Sequence, residues 1–143
     1  MKLSTGKVAF PIEFDNGNKT AIYFNPNDPD LFIRIKNLEG IVLERIKAFD
    51  DVELSNDGMP TNTEEIEIFE KMQNILKEEL DRAFGGEISG EVFKYCSPFA
   101  IVGGEYFIIQ FIEAIIPEIE KHIEKANTES QKRMAKHIGK YSK

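Results

Sequence analysis

Hydrophobic residues in the first part of the chain alternate with polar ones. Two such runs lie between residues 7 and 24, on either side of a segment at 15–18 whose Asn-Gly pair suits a tight turn. The apolar side of the runs consists of Val8, Phe10, Ile12 and Phe14, then Thr20, Ile22 and Phe24. This period of two predicts a β-hairpin over residues 7–24. Pro11 has no N–H to donate, so we expect its strand to lie at an edge.

After Pro26 the period changes to the three-and-four spacing of an α-helix. Asp28 is placed to cap a helix whose first residue is Pro29. The apolar positions that follow are Leu31, Ile35, Leu38, Val42, Ile46 and Phe49. They predict one buried face of a helix over about residues 29–49. Residues 50–62 are rich in Asp, Ser, Asn, Gly and Pro and predict a loop.

A second helical period covers residues 63–84. Asn62 or Thr63 is suited to cap this helix, and Gly85-Gly86 is suited to end it. Its apolar positions are Ile66, Phe69, Met72, Leu76, Leu80 and Phe84. Its exposed face is expected to hold i,i+4 ion pairs. These pairs are Glu67–Lys71 and Glu78–Arg82.

The rest of the chain predicts a short helix over 89–95 capped by Ser89, a loop or turn at 99–104, and an apolar helix over about 104–120. Pro117 is expected to kink that helix or to start a new segment. The fold class is therefore α+β and mostly α-helical, with an N-terminal β-hairpin packed against three main helices and one short helix. Residues 1–120 form a single globular domain, and residues 121–143 form a basic C-terminal helix or tail.

Charge and length narrow the class of protein. The 143 residues fit one domain, and a net charge of −7 argues against a nucleic-acid partner. Residues 1–120 carry 11 basic and 23 acidic groups, whereas residues 121–143 carry 7 basic and 2 acidic ones. The N-terminus lacks the apolar stretch of a signal peptide, and the most apolar segment, 106–116, is too short to span a bilayer. We therefore expect a cytoplasmic protein without a membrane partner.

The sequence contains no strong motif for catalysis or metal binding. Two His and one Cys cannot form a Cys/His zinc site within one chain. We expect His122 and His137 at the surface, and Cys96 as a half-buried structural residue. The Asp and Glu residues lack EF-hand spacing, and the glycine pairs lack that of a phosphate loop. We therefore expect no enzyme, no cofactor and no metal.

The apolar segment at 106–116 and the basic tail each have two interpretations. The segment is either the central core helix or a helix covered on one side by another subunit or a partner chain. Its expected partner contacts are Phe107, Phe111, Ile115 and Ile119. The tail is either a solvated end or an arm that docks on an acidic surface of its own kind or of a partner. The expected contacts of such an arm are Lys132, Arg133 and Lys136.

The predicted elements follow one another in a distinctive order. This order is an N-terminal hairpin, two amphipathic helices, the break Phe84-Gly85-Gly86, a short helix with Val92, Phe93 and Tyr95 that ends at Ser97-Pro98, an apolar helix at 107–116 and a basic end. It resembles small tail assembly chaperones of long-tailed bacteriophages and prophages of low-GC Gram-positive bacteria.

The resemblance implies a non-enzymatic role in tail morphogenesis. Such proteins bind the tape measure protein, a long helical chain prone to aggregation, and help major tail protein subunits assemble around it. The resemblance also implies a homo-oligomer in the bacterial host cytoplasm, with no catalytic residues. The alternative is a structural tail component, such as a tube or completion protein.

Overall fold

The computed structural model describes residues 1–50 and 59–141. Its elements in chain order are β1 (Val8–Glu13), β2 (Lys19–Phe24), α1 (Pro29–Asp50), α2 (Thr63–Phe84), α3 (Ser89–Val92), β3 (Ile101–Val102), β4 (Glu105–Tyr106) and α4 (Phe107–Tyr141). The mostly helical α+β fold predicted from the sequence is confirmed. Most of the predicted loop at 50–62 lies outside the described residues. Among the described helices, none has the length and apolar character needed to cross a membrane.

β1 and β2 form the predicted antiparallel hairpin. Gly17 has a φ of 85° and donates its N–H to the carbonyl of Phe14 at 3.0 Å, while Phe14 donates to the carbonyl of Asn18 at 2.9 Å. Hydrogen-bonded and non-hydrogen-bonded pairs alternate along an antiparallel ladder. Pro11 lies opposite Ala21 in a non-hydrogen-bonded pair, so its nitrogen is on the outer edge, as expected.

α1 lies antiparallel to α2 along the middle of the body. At one end Phe49 of α1 packs edge-on against Phe69 of α2, with ring centroids 5.1 Å apart. At the other end Arg34 donates its Nε–H to the carbonyl of Ala83 at 3.0 Å. All six apolar positions predicted for α1 are buried. On α2 the prediction is wrong at Ile66, which is 44% exposed, because the neighbouring Glu65 takes the buried position in the first turn and accepts hydrogen bonds from Thr61.

The ends of α2 follow the predicted capping chemistry. The Asn62 side chain accepts from the N–H of Glu65 at 2.9 Å. Gly85 takes a left-handed conformation with φ 68° and donates to the carbonyl of Arg82 at 3.3 Å. The predicted pairing of Arg82 with Glu78 is replaced by an ion pair with Glu79, which is almost fully buried.

α3 differs from the prediction in length and in its cap. It ends at Val92 rather than at residue 95, because the backbone of Phe93 has already left the helical region. Ser89 is not the cap, since it is the first helical residue. The start of α3 is capped by the carboxylate of Asp81 instead. This carboxylate accepts hydrogen bonds from the N–H of Ile88 at 2.9 Å, the N–H of Ser89 at 2.7 Å and the Ser89 hydroxyl at 2.8 Å.

α4 packs antiparallel on α1 and is longer than predicted. It begins at Phe107 rather than near residue 104, because residues 101–106 form a second hairpin, β3–β4, where a loop or turn without strands was expected. It continues to Tyr141, so the prediction that Pro117 starts a new segment is wrong. Pro117 is exposed, and the buried Ile115 and Ile119 on either side of it anchor both halves of the helix to the body.

Candidate binding surface

The apolar residues predicted to contact a partner lie mostly inside the body. Phe111, Ile115 and Ile119 are buried, and Ile119 is 0% exposed. Phe107 is half-buried and packs edge-on against Phe93, with ring centroids 6.0 Å apart. These side chains fill the core next to α1, which agrees with the core interpretation of segment 106–116. A partner can reach the three buried residues only if α4 leaves the body.

The basic residues predicted to contact a partner lie elsewhere. Lys132, Arg133 and Lys136 are exposed on the C-terminal half of α4. Ile119 and Lys132 are 13 positions apart, or about 20 Å along a helix. The structure therefore separates the two predicted sets and does not bring them together as one surface.

The β3–β4 hairpin, whose strands were not predicted from the sequence, carries two exposed apolar side chains. Ile101 is 74% exposed and Val102 is 39% exposed. Gly103 and Gly104 have φ values of 60° and 85°, which suit a two-residue turn with positive φ at both positions. The signal was present in the sequence, because a Gly-Gly pair between apolar residues is a known hairpin pattern.

The hairpin is fastened to the start of α4. The N–H of Phe107 donates to the carbonyl of Ala100 at 2.7 Å, and the Gln110 amide donates to the carbonyl of Val102. The N–H of Ile108 donates to the carbonyl of Pro98 at 3.1 Å. The loop thereby satisfies N–H groups that the first turn of a helix leaves free. The hairpin is therefore presented at a fixed position.

Beside the hairpin lies a shallow cleft of about 350 Å³, which we call the hairpin cleft. It is lined by Ile101, Gly104, Glu105, Tyr106 and Ile109. Its wall is mainly apolar, with one carboxylate at the side. A cleft of this kind is suited to hold an apolar side chain of another protein.

Carboxylates surround this part of the surface. The charge of Glu105 is the main cause that raises the pKa of Glu113, and Glu39 raises it further. In the described parts of the chain no group of three or more His, Cys, Asp or Glu side chains has a metal-binding arrangement. Glu105 lines the hairpin cleft, so this cluster places negative charge at one side of the cleft, which we call the acidic border.

The larger cleft, of about 450 Å³, lies between β2 and α3. Lys7, Tyr23, Glu87 and Glu91 line it, and Thr20 donates its hydroxyl proton to Glu91. The cleft contains neither His122 nor Cys96. Its polar groups form a hydrogen-bonded wall rather than a nucleophile with an adjacent base.

His122 and His137 were expected at the surface, and Cys96 was expected to be a half-buried structural residue. His122 is exposed, but one side of its ring packs against Phe10 and Phe24, with centroids 6.3 and 5.9 Å away. Cys96 is half-buried, as expected. The side chain of His137 lies outside the described part of the structure.

Comparison with known proteins adds no relative. No family model, no curated protein and no solved structure matches this chain.

Proposed function

We propose that this protein is a non-enzymatic, chaperone-like factor for phage tail assembly that binds the tape measure protein. The observation that carries the proposal is the exposed apolar hairpin cleft on an otherwise acidic body. The client is a long helical chain prone to aggregation. A protein that protects such a chain needs an apolar contact surface and a strong charge of one sign to keep the complex soluble.

The hairpin cleft is the client site in this proposal. A helical client would insert one apolar side chain between Ile101 and Ile109, which both line the cleft. Fully burying an Ile side chain contributes about 1.5–3 kcal/mol. Because Ile101 is 74% exposed, its burial supplies about 1–2 kcal/mol, or roughly 5- to 30-fold in affinity.

The acidic border explains the reversible nature of the binding. Glu105, Glu113 and Glu39 repel an acidic client and favour a neutral or basic helix. With one apolar insertion and a solvated charged border, each contact is weak. Weak contacts suit a chaperone, since tail protein subunits must later displace it from the client.

The test is co-expression with the tape measure protein encoded in the same gene neighbourhood. We expect the wild-type chain to keep that protein soluble and to bind a purified segment of it in calorimetry. Ile101→Asp should weaken binding about tenfold, because Ile101 lines the cleft. Val8→Asp is the control, because Val8 is also an exposed apolar residue in a strand of a hairpin.

The outcomes separate the function from the site. If the wild-type chain neither binds nor solubilises the client, the proposed function is wrong. If it binds and Ile101→Asp behaves as Val8→Asp does, the function stands and the hairpin cleft is not the client site. If the purified chain forms rings or tubes unaided, it is a structural tail component instead.

A further inference from the structure

The described side chains in the C-terminal half of α4 make no core contact with the body. The last buried residue of α4 is Ile123, at 2% exposure, and every described side chain after it is exposed. We call residues 124–141 the arm. Its 18 residues extend about 27 Å at the rise of an α-helix. Most helical stability in proteins comes from packing of an apolar face, so a partner that covers the arm would stabilise it.

The apolar face of α4 continues into the arm. Met134 and Ile138 are 60% and 61% exposed. They follow Ile123 by 11 and 15 positions, about three and four turns of helix, and so lie within about 60° of the direction of Ile123. The helix face that α4 buries against α1 therefore continues along the arm, where it is exposed.

The charge along α4 is divided between its two ends. Residues 118–129 carry four acidic and two basic side chains, whereas residues 130–143 carry five basic side chains and no acidic one. Lys132, Arg133 and Lys136 make no ion pair with any described residue. Two such helices attract each other when they run antiparallel and repel each other at their basic ends when they run parallel.

An apolar cleft of about 260 Å³ lies where the arm leaves the body, and we call it the root cleft. Its apolar lining consists of Pro26, Pro29, Phe32, Ile33 and Ile123. Ile33 is 56% exposed. In an antiparallel pair centred near residue 130, residues 134 and 138 of one copy lie level with residues near 125 and 121 of the other. The exposed apolar residues of one arm then face the root cleft of the other copy.

We infer that the occupant of the arm's apolar face is a second copy of this chain, held by antiparallel pairing of the two arms. Met134 and Ile138 of each copy pack at the root cleft of the other, and the basic end of each arm lies beside the acidic root of its partner. The inference is independent of the client and of the hairpin cleft, which lies at the other end of α4.

The first test is the mass of the full chain by light scattering after size exclusion, at low and at high salt. We expect a dimer at low salt that weakens as salt rises. The double variant Met134→Asp with Ile138→Asp should be monomeric. The matched control, Thr128→Asp with Ala135→Asp, adds the same charge about 90° around the exposed arm from the line of Met134 and Ile138 and should remain dimeric. A monomeric wild-type chain, or a dimeric Met134/Ile138 double variant, overturns the inference.

The second test concerns orientation. Met134→Cys in a Cys96→Ser background should resist oxidation to a disulfide dimer, since antiparallel arms keep the two copies of position 134 about nine residues of helix, or about 14 Å, apart. Rapid disulfide formation would show parallel arms and overturn the antiparallel pairing. All these positions on the arm are exposed, so the substitutions leave the core of the body unchanged.

Discussion

Replacement of Asp81 by alanine should destabilise the connection between α2 and α3. The carboxylate accepts three hydrogen bonds, from the N–H groups of Ile88 and Ser89 and from the Ser89 hydroxyl, at 2.7–2.9 Å. Ile88 and Val92 are both buried, so this turn inserts two apolar side chains into the core. Alanine at position 81 removes every one of these acceptors at once.

The expected cost follows from the number and type of the bonds. A hydrogen bond to a charged group contributes about 1.5–3 kcal/mol, and one between neutral groups about 0.5–1.5 kcal/mol. Asp81 is half-buried, so water replaces part of what alanine removes. We therefore expect Asp81→Ala to cost about 2–4 kcal/mol, and Ser89→Ala, which removes one bond, about 1 kcal/mol. For a chain of this size the first value corresponds to roughly 6–12 °C in Tm.

The assay is urea unfolding followed by circular dichroism, with Glu78→Ala as an exposed control on the same helix. The double variant Asp81→Ala with Ser89→Ala should be no less stable than Asp81→Ala alone, since the hydroxyl has already lost its partner. The reasoning is refuted if Asp81→Ala costs no more than Glu78→Ala. Full additivity in the double variant would also refute it.

Two further predictions concern α4. Glu113→Gln should stabilise the fold at neutral pH, because Glu105 raises the pKa of Glu113 in the folded chain and the ionised form therefore weakens folding. The gain in stability should vanish as the pH falls below 4.5, the ordinary pKa of a Glu carboxyl. Unfolding curves in which Glu113→Gln stabilises the chain equally at pH 7 and pH 3.5 would contradict this prediction. Phe111→Asp should unfold the body, because it places a charge at a site only 9% exposed, at a cost above about 3 kcal/mol. Ala114→Asp, at an exposed position of the same helix, should leave the Tm nearly unchanged. A folded Phe111→Asp chain would contradict the core assignment.

The elements predicted correctly are those set by local chemistry. The Asn-Gly turn, the Asp28 and Asn62 caps and the Gly85 terminus each depend on residues within a few positions of one another. The Asp81 cap was missed because its partners lie seven and eight residues away, beyond a turn that ends one helix and begins another. Single-sequence periodicity contains no signal for a contact of that kind.

The surface was harder to predict than the fold. Hydrophobic spacing identifies the apolar side of α4 but does not identify what covers it, which is why Phe111 and Ile119 fitted both a core and an interface. The hairpin of residues 101–106 has two residues in each strand, too few to establish an alternating period. Only its Gly-Gly turn indicated that Ile101 would project from the body.

The two proposed surfaces lie at opposite ends of α4, and this placement gives the dimer a specific property. From Phe107 to a centre of pairing near residue 130 is about 34 Å along the helix. In an antiparallel dimer the two hairpin clefts are therefore about 70 Å apart and can hold two separate segments of one long client. Each weak contact then raises the effective concentration of the client at the other. Monomeric arm variants should consequently keep the affinity of a single hairpin cleft for a short client segment and lose only the added affinity for a long one.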